Sequence, residues 1–254
     1  MRERFLSHGR GLLLVLVGVA AILWLAFSGR LGLYIHPRYF EFTIIMAVLA
    51  GLVAIVAAAF LPGAAPEPDD DHGHVPSSGR PATWLTVGSI AIILATTAAL
   101  LVVPPSTLTS AAVAQRDINA SASRADADDA PALVAGDGSS FTVKDWAGLL
   151  RQGADEQYLA DARPNVTGFV TPDPDDPENV FYVARFVVTC CAVDAQPIGV
   201  PVYLPGWRQQ HPVDSWVQVT GRFVANPSAE SRQPLVIDPA GVTPIEQPGD
   251  PYVY

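Results

Sequence analysis

The stretch that decides the fold reads Arg185-Phe-Val-Val-Thr-Cys-Cys-Ala-Val-Asp194 and continues as Ala195-Gln-Pro-Ile-Gly-Val-Pro-Val-Tyr-Leu204. It contains the only two cysteines of the chain, side by side. Successive residues of a pleated strand point to opposite faces of the sheet, so the alternating apolar residues before the cysteines predict a strand over 180–190. In such a strand Cys190 would be buried and the neighbouring Cys191 would point outward.

Four more runs with strand character surround this one, at 166–171, 198–204, 215–224 and 235–238. Ahead of them, Thr142-Val-Lys-Asp145 has the spacing of a capping box and predicts a short helix, Val143–Arg151. Five short strands, with Gly168 and Gly221 at strand bends, are typical of a five-stranded OB-like β-barrel. We therefore expect residues 131–254 to form an all-β domain with one short helix.

The N-terminal part of the chain is strongly apolar. Half of the 254 residues are hydrophobic and only 16% are charged, against about 25% in average globular proteins, and the mean hydropathy is +0.28. Three uncharged runs, 11–28, 42–61 and 84–103, approach the ~20 residues that a membrane-spanning helix needs. The sequence thus predicts a multi-pass, three-helix transmembrane region over residues 1–105, with the lipid bilayer as its partner.

The arginines that flank these runs predict the orientation of the protein in a cell membrane. Positive residues accumulate on the cytoplasmic side of a membrane protein. A cytoplasmic N-terminus places four arginines inside, and the three outside are Arg30, Arg38 and Arg116. We therefore expect an extracytoplasmic C-terminal domain, joined to the spans by a flexible linker over 106–130, which is rich in Ala, Ser and Asp.

Charge and motif content argue against two classes of function. The formal net charge is -10 and only one lysine is present, whereas nucleic-acid binding needs clustered Lys and Arg, so we expect no nucleic-acid partner. The chain has no recognisable Ser-His-Asp spacing or phosphate-binding loop. The sequence thus gives no reason to expect an enzyme.

Two groups of residues are candidate metal ligands. Cys190, Cys191 and Asp194 combine two thiols with a carboxylate within five residues, and thiolates prefer copper(I) and zinc. A closed structural zinc site uses four protein ligands, and His211 is the nearest imidazole that follows in sequence. The second group is His72 and His74 in the loop Asp69-Asp-Asp-His-Gly-His74, although such polar loops are usually solvated.

The cysteine pair has two other interpretations, which the sequence leaves open. Thiols tend to oxidise outside the cytoplasm, and adjacent cysteines can form only a strained, easily reduced disulfide, which favours a redox role. Free cysteines are also commonly buried and inert, in which case the pair is structural.

Several motifs together resemble the YcgQ-like family of bacterial permease subunits. They are Tyr34-Ile-His-Pro-Arg38, Pro104-Pro105, Cys190-Cys-Ala-Val-Asp194, Pro197-Ile-Gly-Val-Pro201 and Trp216-Val-Gln-Val-Thr-Gly221. The resemblance implies a small membrane component that works beside a larger YcgR-like permease. We expect an accessory subunit whose external barrel docks on that permease or delivers a small solute or metal to it. The alternative is a thiol-based redox or metal-handling factor that uses Cys190 and Cys191.

Overall fold

The computed structural model of the chain describes part of its length in detail. The described residues are 2–60, 88, 91–92, 95, 98, 107–120, 138, 140–154, 157 and 159–254. They fall into two compact units. One comprises Met1–Gly32 and Pro37–Pro105, and the other comprises Leu33–His36 and Ser106–Tyr254. Each unit is described by itself below.

The first unit contains two long helices, α1 (Arg2–Phe27) and α2 (Phe40–Phe60). They coincide with the first two predicted spans. Within the described residues, one helical stretch, Pro37–Phe60, is long and apolar enough to cross a membrane, and Gly11–Phe27 is a shorter apolar helix. The third predicted span, 84–103, lies outside the described residues except for five isolated positions, which are helical.

Helices α1 and α2 pack against each other through a small residue. Gly51 of α2 is buried, and a Cβ atom at this position would lie 3.5 Å from a methyl group of Val19. Away from this contact the large side chains of α2 are exposed, with Phe42, Val53 and Phe60 each more than 60% accessible. Extended apolar surface of this kind marks a contact with lipid or with another protein.

The second unit is built on a six-stranded mixed sheet. Its strands are β1 (Asn165–Pro172), β2 (Val180–Val187), β3 (Gln196–Tyr203), β4 (Trp216–Ala225), β5 (Leu235–Ile245) and β6 (Tyr252–Val253). The order across the sheet is β1-β4-β5-β3-β2-β6, and β1 also pairs with β2. All five expected strands are present. The expectation missed β6, because a run of two residues carries no alternating pattern.

Pairing in the sheet is antiparallel except at two places. Strand β3 runs parallel to β5, joined at Val202 and Ile237, and β6 runs parallel to β2. The predicted five-stranded barrel is thus matched in strand positions, while the structure shows a mixed sheet with one more strand. The main core lies between this sheet and helix α4 (Val143–Arg151).

The capping box predicted for α4 is confirmed. The Thr142 side chain accepts a hydrogen bond from the Asp145 backbone, and the Asp145 carboxylate accepts one from the Thr142 backbone at 2.7 Å. The helix buries Trp146 completely, and its ring packs 5.3 Å from the Phe223 ring, centroid to centroid. This contact fastens α4 to strand β4.

Part of the segment expected to be a flexible linker is packed on the sheet. Residues 107–120 contain a short helix, α3 (Ser110–Val113), and end at the buried Asn119. The Asn119 side chain exchanges two hydrogen bonds with the Gly199 backbone, at 2.8 and 2.9 Å. The amino-acid composition of this segment predicted a flexible linker, because apolar residues are sparse in it. In the structure, the Asn119 amide nevertheless pairs with the backbone of strand β3. Residues 121–130 lie outside the described part.

Candidate functional site

The cysteines lie in a turn that the Asp194 carboxylate organises. This carboxylate accepts hydrogen bonds from the backbone N–H groups of Thr189 at 3.2 Å, Cys190 at 2.8 Å and Cys191 at 3.4 Å. Three amides that would otherwise pair along a strand therefore turn towards one side chain, and β2 ends at Val187. The prediction that the strand continues to residue 190 was wrong. Cys190 is exposed rather than buried.

A distant segment of the chain completes this turn. Ile35 forms an antiparallel bridge with Cys191. The His36 N–H donates to the Cys190 carbonyl at 3.0 Å, and the Ala192 N–H donates to the Tyr34 carbonyl at 2.8 Å. Sequence reasoning missed this pairing, because no spacing rule connects segments about 150 residues apart. The only signal was that both segments belong to the quoted motifs.

The structure brings together the first group of predicted metal ligands. One donor atom from each of Cys190, Cys191 and Asp194 lies within 4.8 Å of the other two. Both thiols are free, with Cys190 exposed and Cys191 half-buried. Two sulfur atoms and one carboxylate oxygen at such separations need only small side-chain movements to reach a common cation, since zinc–ligand distances are about 2.0–2.3 Å.

The electrostatics of the turn keep the Cys190 thiol protonated in the absence of a metal. Its hydrogen bond with Cys191 raises the pKa of Cys190, and partial desolvation and the negative charge of Asp194 add to the effect. A protonated thiol is a poor nucleophile. Such a thiol can nevertheless ligate a metal, because cation binding displaces the proton.

Of the other histidines considered in the sequence, His211 lies within the described residues and is not grouped with these three donors. His72 and His74 lie outside the described residues. His211 is buried, and its Nδ1 atom has no hydrogen-bond partner among the described residues. Its burial lowers the pKa of the imidazole. His211 is therefore a buried residue of the domain, and its nearness in sequence to the cysteines does not bring it into their donor group.

The aspartate carboxylates in the acidic loop after β1 already have hydrogen-bond partners within the protein. Asp173 and Asp176 are buried. Ser228 donates to the Asp176 carboxylate at 2.6 Å, and Arg232 donates to Asp175 at 2.8 Å. These hydrogen bonds hold the pKa of both Asp175 and Asp176 below the ordinary value. These hydrogen bonds join the acidic loop to the loop that contains Ser228 and Arg232, which gives the carboxylates a structural role.

A cavity of about 720 Å³ lies between the α3 segment and the sheet. Its wall includes Arg116, Tyr182 and Arg232. Arg116 connects this wall to the cysteine turn, because its guanidinium donates to the Val193 carbonyl at 3.2 Å. Val193 itself is 83% exposed, so the tip of the turn projects from the domain surface.

Comparison with known families gives two matches that together span most of the chain. The DUF1980 N-terminal domain matches residues 10–119, and the DUF1980 C-terminal domain matches residues 152–254. This chain carries both DUF1980 domains. The cysteine turn lies in the C-terminal DUF1980 domain, and the segment that pairs with it lies in the N-terminal one. This finding is consistent with the YcgQ-like resemblance. No curated protein and no solved structure matches the chain.

Proposed function

We propose that this DUF1980 protein is a membrane-anchored accessory subunit that binds a thiophilic cation at its cysteine turn and passes it to a partner permease. The observation that carries the proposal is the convergence of three donor atoms, from Cys190, Cys191 and Asp194, within 4.8 Å. Zinc and copper(I) are the cations that suit two thiolates.

The exposure of the turn favours transfer over permanent storage. Closed structural zinc sites are four-coordinate, whereas sites that keep an open position can exchange ligands. Cys190 is exposed, and the neighbouring Val193 projects into solvent. A partner protein can therefore reach the bound cation directly and substitute its own ligands one at a time.

Membrane anchoring is supported by the apolar helices. The stretch Pro37–Phe60 is strongly apolar and little of it is buried, which suits contact with lipid chains. Together with the three uncharged runs of the sequence, this supports a multi-pass protein of the cell membrane. The proposed cytoplasmic N-terminus and extracytoplasmic C-terminal domain rest on the flanking arginines alone.

The partner is inferred from the resemblance to permease subunits, which implies a YcgR-like permease. We also propose that the sheet domain is OB-like. Strand β1 pairs with both β2 and β4, so the pairings β1-β4-β5-β3-β2 return to β1. That circuit supports a barrel, which would hold the cysteine turn on a rigid support.

A thiol redox function is the alternative use of the same pair. Both thiols are free, with Cys190 exposed and Cys191 partly accessible, which is compatible with oxidation. The raised pKa of Cys190 weighs against it, because redox-active cysteines normally have a lowered pKa.

Metal titration of the full chain in detergent tests the proposal. We expect one equivalent of zinc or copper(I) to bind, with loss of two titratable thiols and release of protons. Cys190→Ser with Cys191→Ser should abolish binding, while the control Ser228→Ala, in the loop between β4 and β5, should bind normally. The proposal fails if the double variant binds as tightly as the wild type. Reversible oxidation of the pair without metal binding would support the redox alternative instead.

A further inference from the structure

The segment that pairs with the cysteine turn brings an imidazole to it. Leu33–His36 belongs to the same compact unit as the sheet domain. The bridge between Ile35 and Cys191 and the flanking hydrogen bonds at 3.0 and 2.8 Å fix its register. This pairing attaches a second piece of chain to the backbone of the two cysteines.

The register places His36 opposite Cys190. Ile35 and Cys191 form an isolated antiparallel bridge, so the next residue, His36, lies opposite Cys190. The His36 N–H donates to the Cys190 carbonyl at 3.0 Å. This backbone contact keeps the imidazole and the thiol on adjacent segments, within reach of a shared cation.

The donor set at the turn lacks the ligand that His36 can supply. Two thiolates and one carboxylate leave a tetrahedral cation one ligand short, and imidazole is the usual companion of thiolates in zinc sites. The His36 nitrogens are not among the three donors within 4.8 Å, so the ring must turn towards the sulfur atoms when the cation binds. Its ring now lies 4.8 Å from the Tyr254 ring in an edge-to-face contact.

No other imidazole is placed for this role in the part of the chain that the structure describes. Of the five histidines, His8, His72 and His74 have side chains outside the described part. His211 is buried in the domain and is not grouped with the cysteines. His36 is the one whose backbone is hydrogen-bonded to the cysteine pair.

We infer that His36 is the fourth ligand of the cation bound by Cys190, Cys191 and Asp194. The inference rests on the proposed metal binding and specifies its ligand set as two sulfur atoms, one carboxylate oxygen and one imidazole nitrogen. It also assigns a role to the Tyr34–His36 segment, which carries this ligand from the loop between α1 and α2. A borderline cation such as zinc suits this mixed set better than copper(I), which prefers sulfur.

Cobalt(II) and zinc binding to the full chain in detergent test the inference. We expect His36→Ala to weaken zinc binding by at least the ~10–100-fold that loss of a supporting group costs at such sites. The cobalt spectrum should keep the sulfur-to-metal charge transfer of two thiolates and lose its tetrahedral d–d pattern. The control His8→Ala, which removes an imidazole that belongs to neither group of candidate ligands, should leave affinity and spectrum unchanged.

A second variant keeps the test decisive if His36→Ala disturbs the loop. His36→Cys should restore tight binding and raise the charge-transfer intensity by about half, because three thiolates replace two. The inference is overturned if His36→Ala binds zinc like the wild type, or if His36→Cys adds no charge transfer. Normal binding by His36→Ala together with none by Cys190→Ser/Cys191→Ser would remove His36 from the site and leave the proposed function standing.

Discussion

At the scale of single residues, Asp194 shapes the cysteine turn and has a second, proposed role as a metal ligand. Its carboxylate accepts three backbone hydrogen bonds, and one of its oxygens lies within 4.8 Å of both cysteine sulfur atoms. A carboxylate has two oxygens with several lone pairs, so both roles are compatible. The two roles can be separated experimentally because an asparagine keeps an acceptor oxygen but loses the charge.

Substitutions of Asp194 should therefore affect stability and metal binding differently. We expect Asp194→Ala to lower the free energy of unfolding by about 1–2 kcal/mol, as for loss of a capping side chain, and to weaken zinc binding as well. Asp194→Asn should retain most of the stability and still weaken zinc binding. Thermal unfolding and zinc competition assays on the same preparations check this. Equal zinc affinity in the wild type and Asp194→Asn would exclude the carboxylate as a ligand.

His211 predicts a pH dependence of stability. Burial lowers its pKa in the folded protein below the ordinary value of about 6.5, so the unfolded chain binds the proton more readily. This contribution to stability is present above about pH 6.5 and is lost as the pH falls. We expect the unfolding midpoint to drop between pH 7.5 and 5.5, and to drop less in His211→Leu. The same drop in both proteins would contradict a buried neutral imidazole.

The sequence predicted Cys190, Cys191 and Asp194 as metal ligands, from two thiols and a carboxylate within five residues, and this stays a prediction. The structure shows that their donor atoms lie close together, but in a turn rather than at the end of a strand. Alternation along the strand correctly predicted that Phe186 and Val188 are buried, and it failed at Cys190. The reason is that a side-chain hydrogen-bond acceptor, four residues further on, ends the strand, and periodicity contains no information about that interaction.

At the scale of elements, two glycines allow the strands to cross closely. Strand β1 pairs with β4 over its first half and with β2 over its second. At Gly168 a Cβ atom would overlap the Ala184 backbone carbonyl on β2. Gly221 lies at a register shift between β4 and β5, where a Cβ would overlap the Asp238 carbonyl. Both positions were expected to be strand bends.

Gly168→Ala should therefore destabilise the sheet domain. The added methyl group meets backbone, which cannot move aside as a side chain can, and overpacking of this kind costs about 1–3 kcal/mol. Gly241→Ala is the matched control, since its Cβ would make an ordinary contact of 3.5 Å with the Thr220 hydroxyl. We expect a lower thermal midpoint for Gly168→Ala only. Similar midpoints for both variants would argue against the close crossing of β1 and β2.

Elements with a strong local signal were predictable, and those held by distant partners were not. Helix α4 was predicted at its observed bounds because a capping box and an apolar face are encoded locally. In contrast, the packed segment 107–120 is held by residues distant in sequence, such as Asp214, which accepts from Ser110, and Gly199, which pairs with the Asn119 amide. The bridge between Ile35 and Cys191 is likewise set by tertiary contact. Such pairings leave no periodic trace in the sequence.

At the scale of the whole molecule, the chain combines apolar helices with a sheet domain in which the Cys190 thiol is exposed. The orientation expected from the flanking arginines puts these thiols outside the cytoplasm. Because Cys190 and Cys191 are the only cysteines, their labelling reports the location of the domain without background from other thiols.

Labelling with a membrane-impermeant maleimide tests this topology. After removal of metal by a chelator, we expect the wild type to react in intact spheroplasts. A Ser7→Cys variant in the Cys190→Ser/Cys191→Ser background should react only after the membrane is opened, since the N-terminus is expected in the cytoplasm. Reaction of the wild type only after lysis would place the cysteine turn in the cytoplasm and contradict the expected orientation.

The most direct test of the metal site is X-ray absorption at the zinc edge, on the full chain in detergent loaded with one equivalent of zinc. We predict that the zinc ion has a four-coordinate shell of two sulfur atoms at about 2.3 Å and two nitrogen or oxygen atoms at about 2.0 Å. Multiple scattering from one imidazole should accompany the shell. A shell of oxygen and nitrogen atoms without sulfur would contradict the proposal that Cys190 and Cys191 bind the cation.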